Sequence, residues 1–154
     1  MKKVPPIQTL LPHEPPMLLL HRVSEWTLTS LIAEVDCEKP SLFSTPQGYV
    51  PSLVGVEYLV QAMGALAGLK LISQGEKPQI GFLLGVRNYQ PICNEFPGTG
   101  VLKISVNQVF LDETLNLGAF DGEISHGGTI LCTGQIKAIM PSDPEGILQL
   151  DELN

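Results

Sequence analysis

Hydrophobic and polar positions alternate with two different periods along this chain, and the switches between them mark its elements. From Met17 the sequence reads MLLLHRV and then, after a short polar stretch, TSLIAEVDC, in which Leu31, Ala33 and Val35 oppose Ile32, Glu34 and Asp36. A period of two is the mark of a strand with one buried face. Ahead of it, IQTLL (7–11) predicts one short helical turn, and the three prolines of LPHEPPM (11–17) rule out continuous regular structure. Residues 38–51, EKPSLFSTPQGYVP, read as a Pro/Gly/Ser-rich loop long enough to suggest function. Pro51 and Ser52 then open a helix predicted to run to about Ser73. Leu53, Val56, Leu66 and Leu69 give it apolar surface, while glycines and alanines between 55 and 68 keep it slim. A helix apolar on most faces is surrounded by protein.

Gly75 and Pro78 end the helix, and everything downstream predicts sheet. QIGFLLGVRNYQP (79–91) comes first, with Gly85 as a bulge or bend, and CNEFPGTG (93–100) reads as turn. Leu102, Ile104 and Val106 alternate with Lys103, Ser105 and Asn107; LNLGAFDGEIS, the turn HGG and TILCTGQIKAIM complete an antiparallel meander. The tail from Pro141 is polar and peripheral. One Ala/Gly-rich helix followed by long antiparallel strands, with more strands in front, is an α+β pattern. A curved antiparallel sheet wrapped around one long central helix, the hotdog fold, solves the burial problem in a single domain spanning 1–154. An α+β sandwich or a cystatin-like fold are the alternatives. Such a sheet exposes its edges unless another copy covers them, so a dimer with a continuous sheet is expected.

Composition narrows the function. The chain is 44% hydrophobic and 16% charged, enough for a real core. Nine basic against 16 acidic residues, net −7, with no basic stripe, exclude nucleic acid as a partner. Val50–Ile72 is the most membrane-like stretch, but Glu57, Gln61 and Lys70 interrupt it, so no membrane partner is expected. Cys37, Cys93 and Cys132 are odd in number and widely spaced, which suits core positions in a reducing compartment, the cytoplasm. No signal-peptide-like segment follows Met-Lys-Lys.

Glu57 is the sharpest candidate for chemistry. It lies one turn into the apolar helix, and Gln61 follows four positions later on the same face. A carboxylate and an amide in an apolar segment need partners or carry a function. Glu57 is either an acid–base group or a clamp on backbone amides of the preceding loop. His13, among prolines, is a candidate base or a fastener of the N-terminal loop. His21 is expected on a strand facing solvent or a partner, and His126 exposed in a turn. No metal-ligand spacing and no phosphate-binding glycine loop occur, so neither metal nor cofactor is expected. Ser52 suits an N-cap. The free amides at the helix start, around Ser52, Leu53 and Gly55, are placed to bind a thioester carbonyl, next to a narrow acyl tunnel.

These segments resemble the hotdog 3-hydroxyacyl-acyl-carrier-protein dehydratases. LLPHEPPMLLLHRV (10–23) is similar to the family's LPHR-x-P-F-L-L-x-D-R-V, and VPSLVGVEYLVQAMGALAG (50–68) to its MPGVL-x-x-E-A-x-A-Q helix. GFLLGVRNYQPICNEFPGTG (81–100) resembles the next strand and its turn. The resemblance places Glu57 on the catalytic acid and Gln61 on the helix glutamine; the expected substrate-binding positions are Gln61, Gly55, Leu53 and Phe43. It implies elimination of water from a 3-hydroxyacyl thioester on acyl carrier protein. One departure stands out: where the family has a catalytic histidine, fourteen residues before the helix glutamate, this chain has Phe43. The pattern VPxxVGVEYxxQ with GFLLGVR resembles a divergent subgroup associated with aryl polyene synthesis. Three readings follow: a dehydratase using Glu57 and His13, a non-catalytic subunit supporting a histidine-bearing hotdog partner, or an acyl thioesterase on the same fold; a homodimer or a heterodimer with another hotdog subunit is expected. Arg22 and Arg87 are the candidate contacts for the carrier protein.

Overall fold

The computed structural model describes residues 3–141; the predicted peripheral tail beyond Pro141 lies outside the described residues. Six strands form one antiparallel sheet in the order β1-β2-β6-β7-β8-β4: β1 Arg22–Trp26, β2 Ser30–Asp36, β6 Val101–Asp112, β7 Leu117–His126, β8 Thr129–Ile139 and β4 Phe82–Pro91. β3 (Val50–Pro51) and β5 (Glu95–Phe96) form a separate two-stranded pair. The sheet curls around α1, Gly55–Ser73, which is the hotdog fold.

The alternation read from the sequence becomes the inner face of this sheet. Leu31, Ala33 and Val35 of β2 pair in register with Val106, Ile104 and Leu102 of β6, and all six are buried. On α1 the buried set includes Tyr58, Leu59, Ala62, Ala65, Leu66 and Leu69, distributed around the helix. The helix therefore has no solvent face of ordinary width. A 22-residue stretch, Ser52–Ser73, has the length and apolarity of a membrane span, and 61% of its most apolar window is buried inside the fold.

Small residues let the layers close. At Gly122, in the middle of β7, a Cβ would come within 2.7 Å of Leu59 Cδ2, so the glycine is what allows the helix to sit this near the sheet. At Gly68 a Cβ would collide with the backbone carbonyl of Leu10, which cannot swing away like a side chain. Gly68→Ala is accordingly expected to destabilise the protein by about 1–3 kcal/mol, despite alanine's better helix propensity. A lowered urea midpoint at unchanged m-value is the measurement that checks it.

Three local expectations are corrected. The strand expected from Met17 begins at Arg22, because the backbone of Met17 and Leu19 is held by the Gln61 side chain instead of a neighbouring strand. Ser52 is not the N-cap: a 3-10 turn, Ser52–Val54, precedes α1, whose cap is Val54 with no side-chain hydrogen bond. The segment read as turn at 93–100 contains β5, where Phe96 is fully buried against Tyr58, their ring centroids 6.0 Å apart. The bulge expected near Gly85 is present, as a register shift between Leu83 and Gly85.

Candidate active site

Gln61 organises the site. It is fully buried, and all three of its hydrogen bonds have a purpose. Its Oε1 accepts from the Leu19 amide (2.9 Å), and its Nε2 donates to the Met17 carbonyl (2.7 Å) and to Glu57 Oε1 (2.9 Å). The first two bonds pull the N-terminal Pro-rich segment onto the helix. The third, from a residue one helical turn away, orients the carboxylate. His13 is carried in on that segment, and its Nε2 lies 3.5 Å from Glu57 Oε1. The two side chains are 30% and 35% exposed, so the pair is shielded yet open to a ligand. His13 Nδ1 is buried without a hydrogen-bond partner, an orphaned polar atom of the kind that concentrates at functional sites. Among the described residues Glu57 makes no hydrogen bond to the 38–51 loop, which removes the loop-clamp reading.

From His13 a groove of about 390 Å³ runs along α1 towards its C-terminal end. Val60, Met63, Ala67 and Leu71 form one wall, and Phe120 and Ala138 of the sheet stand opposite. Ten residues beyond Val60, Lys70 Nζ donates to Gln108 Oε1 at 2.6 Å inside the same groove. Burial pushes the Lys70 ammonium below its ordinary pKa.

The helix-start residues behave differently from expectation. The Ser52 amide donates to Asn94 O, and the Gly55 amide is used within the 3-10 turn, so neither is free for a thioester carbonyl. Gly55 is buried, and a Cβ there would strike Tyr89, whose hydroxyl donates to the Ser52 carbonyl. Leu53 is 76% exposed and Phe43 37%, and neither lines the groove. Gln61 faces the protein's own backbone.

His21 does not face solvent from a strand. It precedes β1, lines a second cavity of about 270 Å³ with Cys37 and Tyr58, and accepts a hydrogen bond at Nδ1 from the Asp36 amide (2.8 Å). Burial, followed by the nearby Lys39 charge, lowers its pKa below 6.5. Its folded value lies below the unfolded one, so the stability its neutral form provides is complete above about pH 6.5 and is lost as pH falls through the folded value. Acid titration of the unfolding midpoint is expected to show this loss, and to show less of it in His21→Gln. His126 is half-buried, its Nε2 paired with the Thr99 carbonyl at 2.8 Å. Cys132 is buried and Cys37 and Cys93 are half-buried; burial pushes the Cys37 and Cys132 thiols up. Arg22 pairs with Glu34, while Arg87 is exposed on β4.

Sequence reasoning missed the Lys70–Gln108 pair. Its only trace is a lysine interrupting an apolar helix, and the partner stands 38 residues away.

A sheet curled around a long apolar helix, with a glutamate one turn in and an apolar groove beside it, defines a hotdog protein. The chain belongs to the ApeP-like family of ApeP dehydratases, whose pattern matches residues 5–149. It is 31% identical to a chain of the dehydratase heterocomplex ApeI:P from Xenorhabdus doucetiae, with a TM-score of 0.88 over 96% of this chain and 99% of that one. More distant structures share the fold alone. AziG of S. sahachiroi is 12% identical (TM-score 0.59, 78% and 90% covered), and Cj0977, a virulence protein of Campylobacter jejuni, is 13% identical (TM-score 0.61, 88% and 87% covered). No curated protein matches the sequence.

Proposed function

We propose that this chain eliminates water from a 3-hydroxyacyl thioester carried on acyl carrier protein, in a fatty-acid or aryl polyene-like synthesis in the cytoplasm. The observation that carries the reading is the His13–Glu57 pair, 3.5 Å apart at the mouth of an apolar groove, in a member of a dehydratase family. His13 is the base and Glu57 the acid. His13 Nε2 takes the proton from C2; the electron pair of that bond forms the C2–C3 double bond as the C3–O bond breaks. Glu57 gives its proton to the departing hydroxyl, which leaves as water. A proton passing from His13 to Glu57 resets the pair. Gln61 holds the carboxylate in place throughout, and the groove shelters the acyl chain from water.

A partner subunit completes the arrangement. β4 is a ten-residue edge strand exposed along most of its length, carrying Leu83, Leu84 and Val86, and unpaired edges of this kind are covered in stable proteins. Pairing along β4 with a second hotdog subunit gives a continuous sheet. Leu84→Lys, at a position 56% exposed, is expected to shift the assembly towards the 16.7 kDa monomer in sedimentation velocity with little loss of fold stability. Arg87, exposed on the same strand, is one candidate basic contact for an acidic carrier protein.

A second reading has its own support. Phe43 stands where related dehydratases have histidine, and the similar ApeI:P structure is a heterocomplex. In that reading this chain supports a partner that performs the chemistry. Mixing the chain with a Glu57→Gln variant of itself or with a histidine-bearing partner separates the two: the dehydratase reading requires that turnover depend on this chain's Glu57.

A further inference from the structure

The groove beside the His13–Glu57 pair is not uniform. Near His13 its walls are aliphatic, from Leu11, Val60 and Met63. At the far end Gln74, Glu113 and Asn116 join Lys70 and Gln108 in the lining. From Val60 to Lys70 the helix rises about 15 Å, room for an acyl chain of medium length. Among the described residues Lys70 has one hydrogen-bond partner, the neutral amide of Gln108. A methylene pushed against its ammonium strips water from a charge and supplies nothing in return, whereas an oxygen replaces that water with a charge-assisted hydrogen bond.

We infer that Lys70 and Gln108 select the far end of the acyl chain: the groove takes a chain that stops short of the pair or carries a hydrogen-bonding oxygen there, and rejects a longer chain ending in alkyl. The inference deepens the proposed function, because it assumes that the groove holds the acyl group of the thioester.

The test separates binding from turnover. Non-reactive acyl-pantetheine amides are made in pairs of equal length, long enough to reach Lys70, one ending in methyl and the other in a hydroxyl. Calorimetry on the full chain is expected to show the hydroxyl-ended amide binding about tenfold tighter or more. Lys70→Met removes that preference by strengthening the methyl-ended compound, and Gln108→Leu weakens it; thermal unfolding confirms that both variants are folded. Equal affinities in the unmodified chain, a preference that survives Lys70→Met, or no binding of either amide overturns the inference. Turnover is read separately on a short 3-hydroxyacyl thioester that ends before Lys70. Selective binding without that turnover leaves the selection by Lys70 standing and removes the catalytic reading; turnover without selective binding does the reverse.

Discussion

Glu57→Gln lowers turnover of a 3-hydroxyacyl thioester by about 10²–10⁴-fold, the usual weight of a positioned general acid or base. The substitution keeps the size of the side chain and retains an oxygen to accept from Gln61 Nε2, so the helix and the N-terminal segment stay in place. What it removes is the acidic group 3.5 Å from His13 Nε2. The loss is expected in kcat with KM little changed, because the carboxylate acts on the bond-breaking step and not on the acyl chain in the groove. His13→Gln should produce a loss of similar order, and the double variant little more than either alone, since the two groups act as a unit in one elimination. A purely structural Glu57 predicts the opposite pattern: unchanged turnover per folded molecule and a lowered unfolding midpoint.

Gln61→Leu is the second large effect, and it reads first as stability. The leucine fits the buried volume but leaves the Leu19 amide and the Met17 carbonyl without partners. The Leu19 amide, in a buried bond, costs about 1–3 kcal/mol when left unpaired, and the Met17 carbonyl, on a residue 41% exposed, adds less, so the variant is expected to lose about 1–4 kcal/mol, a sizeable part of the 5–15 kcal/mol that holds a typical domain together. Urea unfolding measures that loss. Activity falls with it for a geometric reason, since the segment released from Gln61 is the one that carries His13 to Glu57. Gln61→Glu is no remedy. It keeps an acceptor for Leu19 but loses the donor to Met17 and places a second carboxylate beside Glu57.

The contrast between these variants reflects how the site is assembled, and that also governs how much of it the sequence could disclose. β2 and β6 were legible because each carries its own period-two pattern, which becomes one buried face whatever the partner. α1 was legible from its length and small residues, and Glu57 from its contrast with its neighbours. Where structure depends on contacts distant in sequence, local pattern falls silent. The MLLL run has the hydrophobicity of a strand, yet Gln61, more than forty residues on, takes its backbone hydrogen bonds. Nothing near His13 says that it meets Glu57; a histidine among prolines fits many loops equally well. The helix start misled for a related reason. Ser52 has the right chemistry for a cap, but pairing of its amide with Asn94 and the insertion of a 3-10 turn use the groups a free helix terminus would offer. Lys70 and Gln108 lie on different elements and come together only when the sheet has closed over the helix.

The proposed dehydration rests on this chain's own His13 and Glu57. Its most direct test is mass spectrometry of a 3-hydroxyacyl-carrier-protein thioester incubated with the purified chain, alone and with a histidine-bearing hotdog partner. Loss of one water to give the enoyl thioester is expected, at a rate that collapses when Glu57→Gln is made in this chain and the partner is left intact. Product formed only with the partner, at a rate indifferent to Glu57→Gln here, would contradict it and make this chain the supporting subunit.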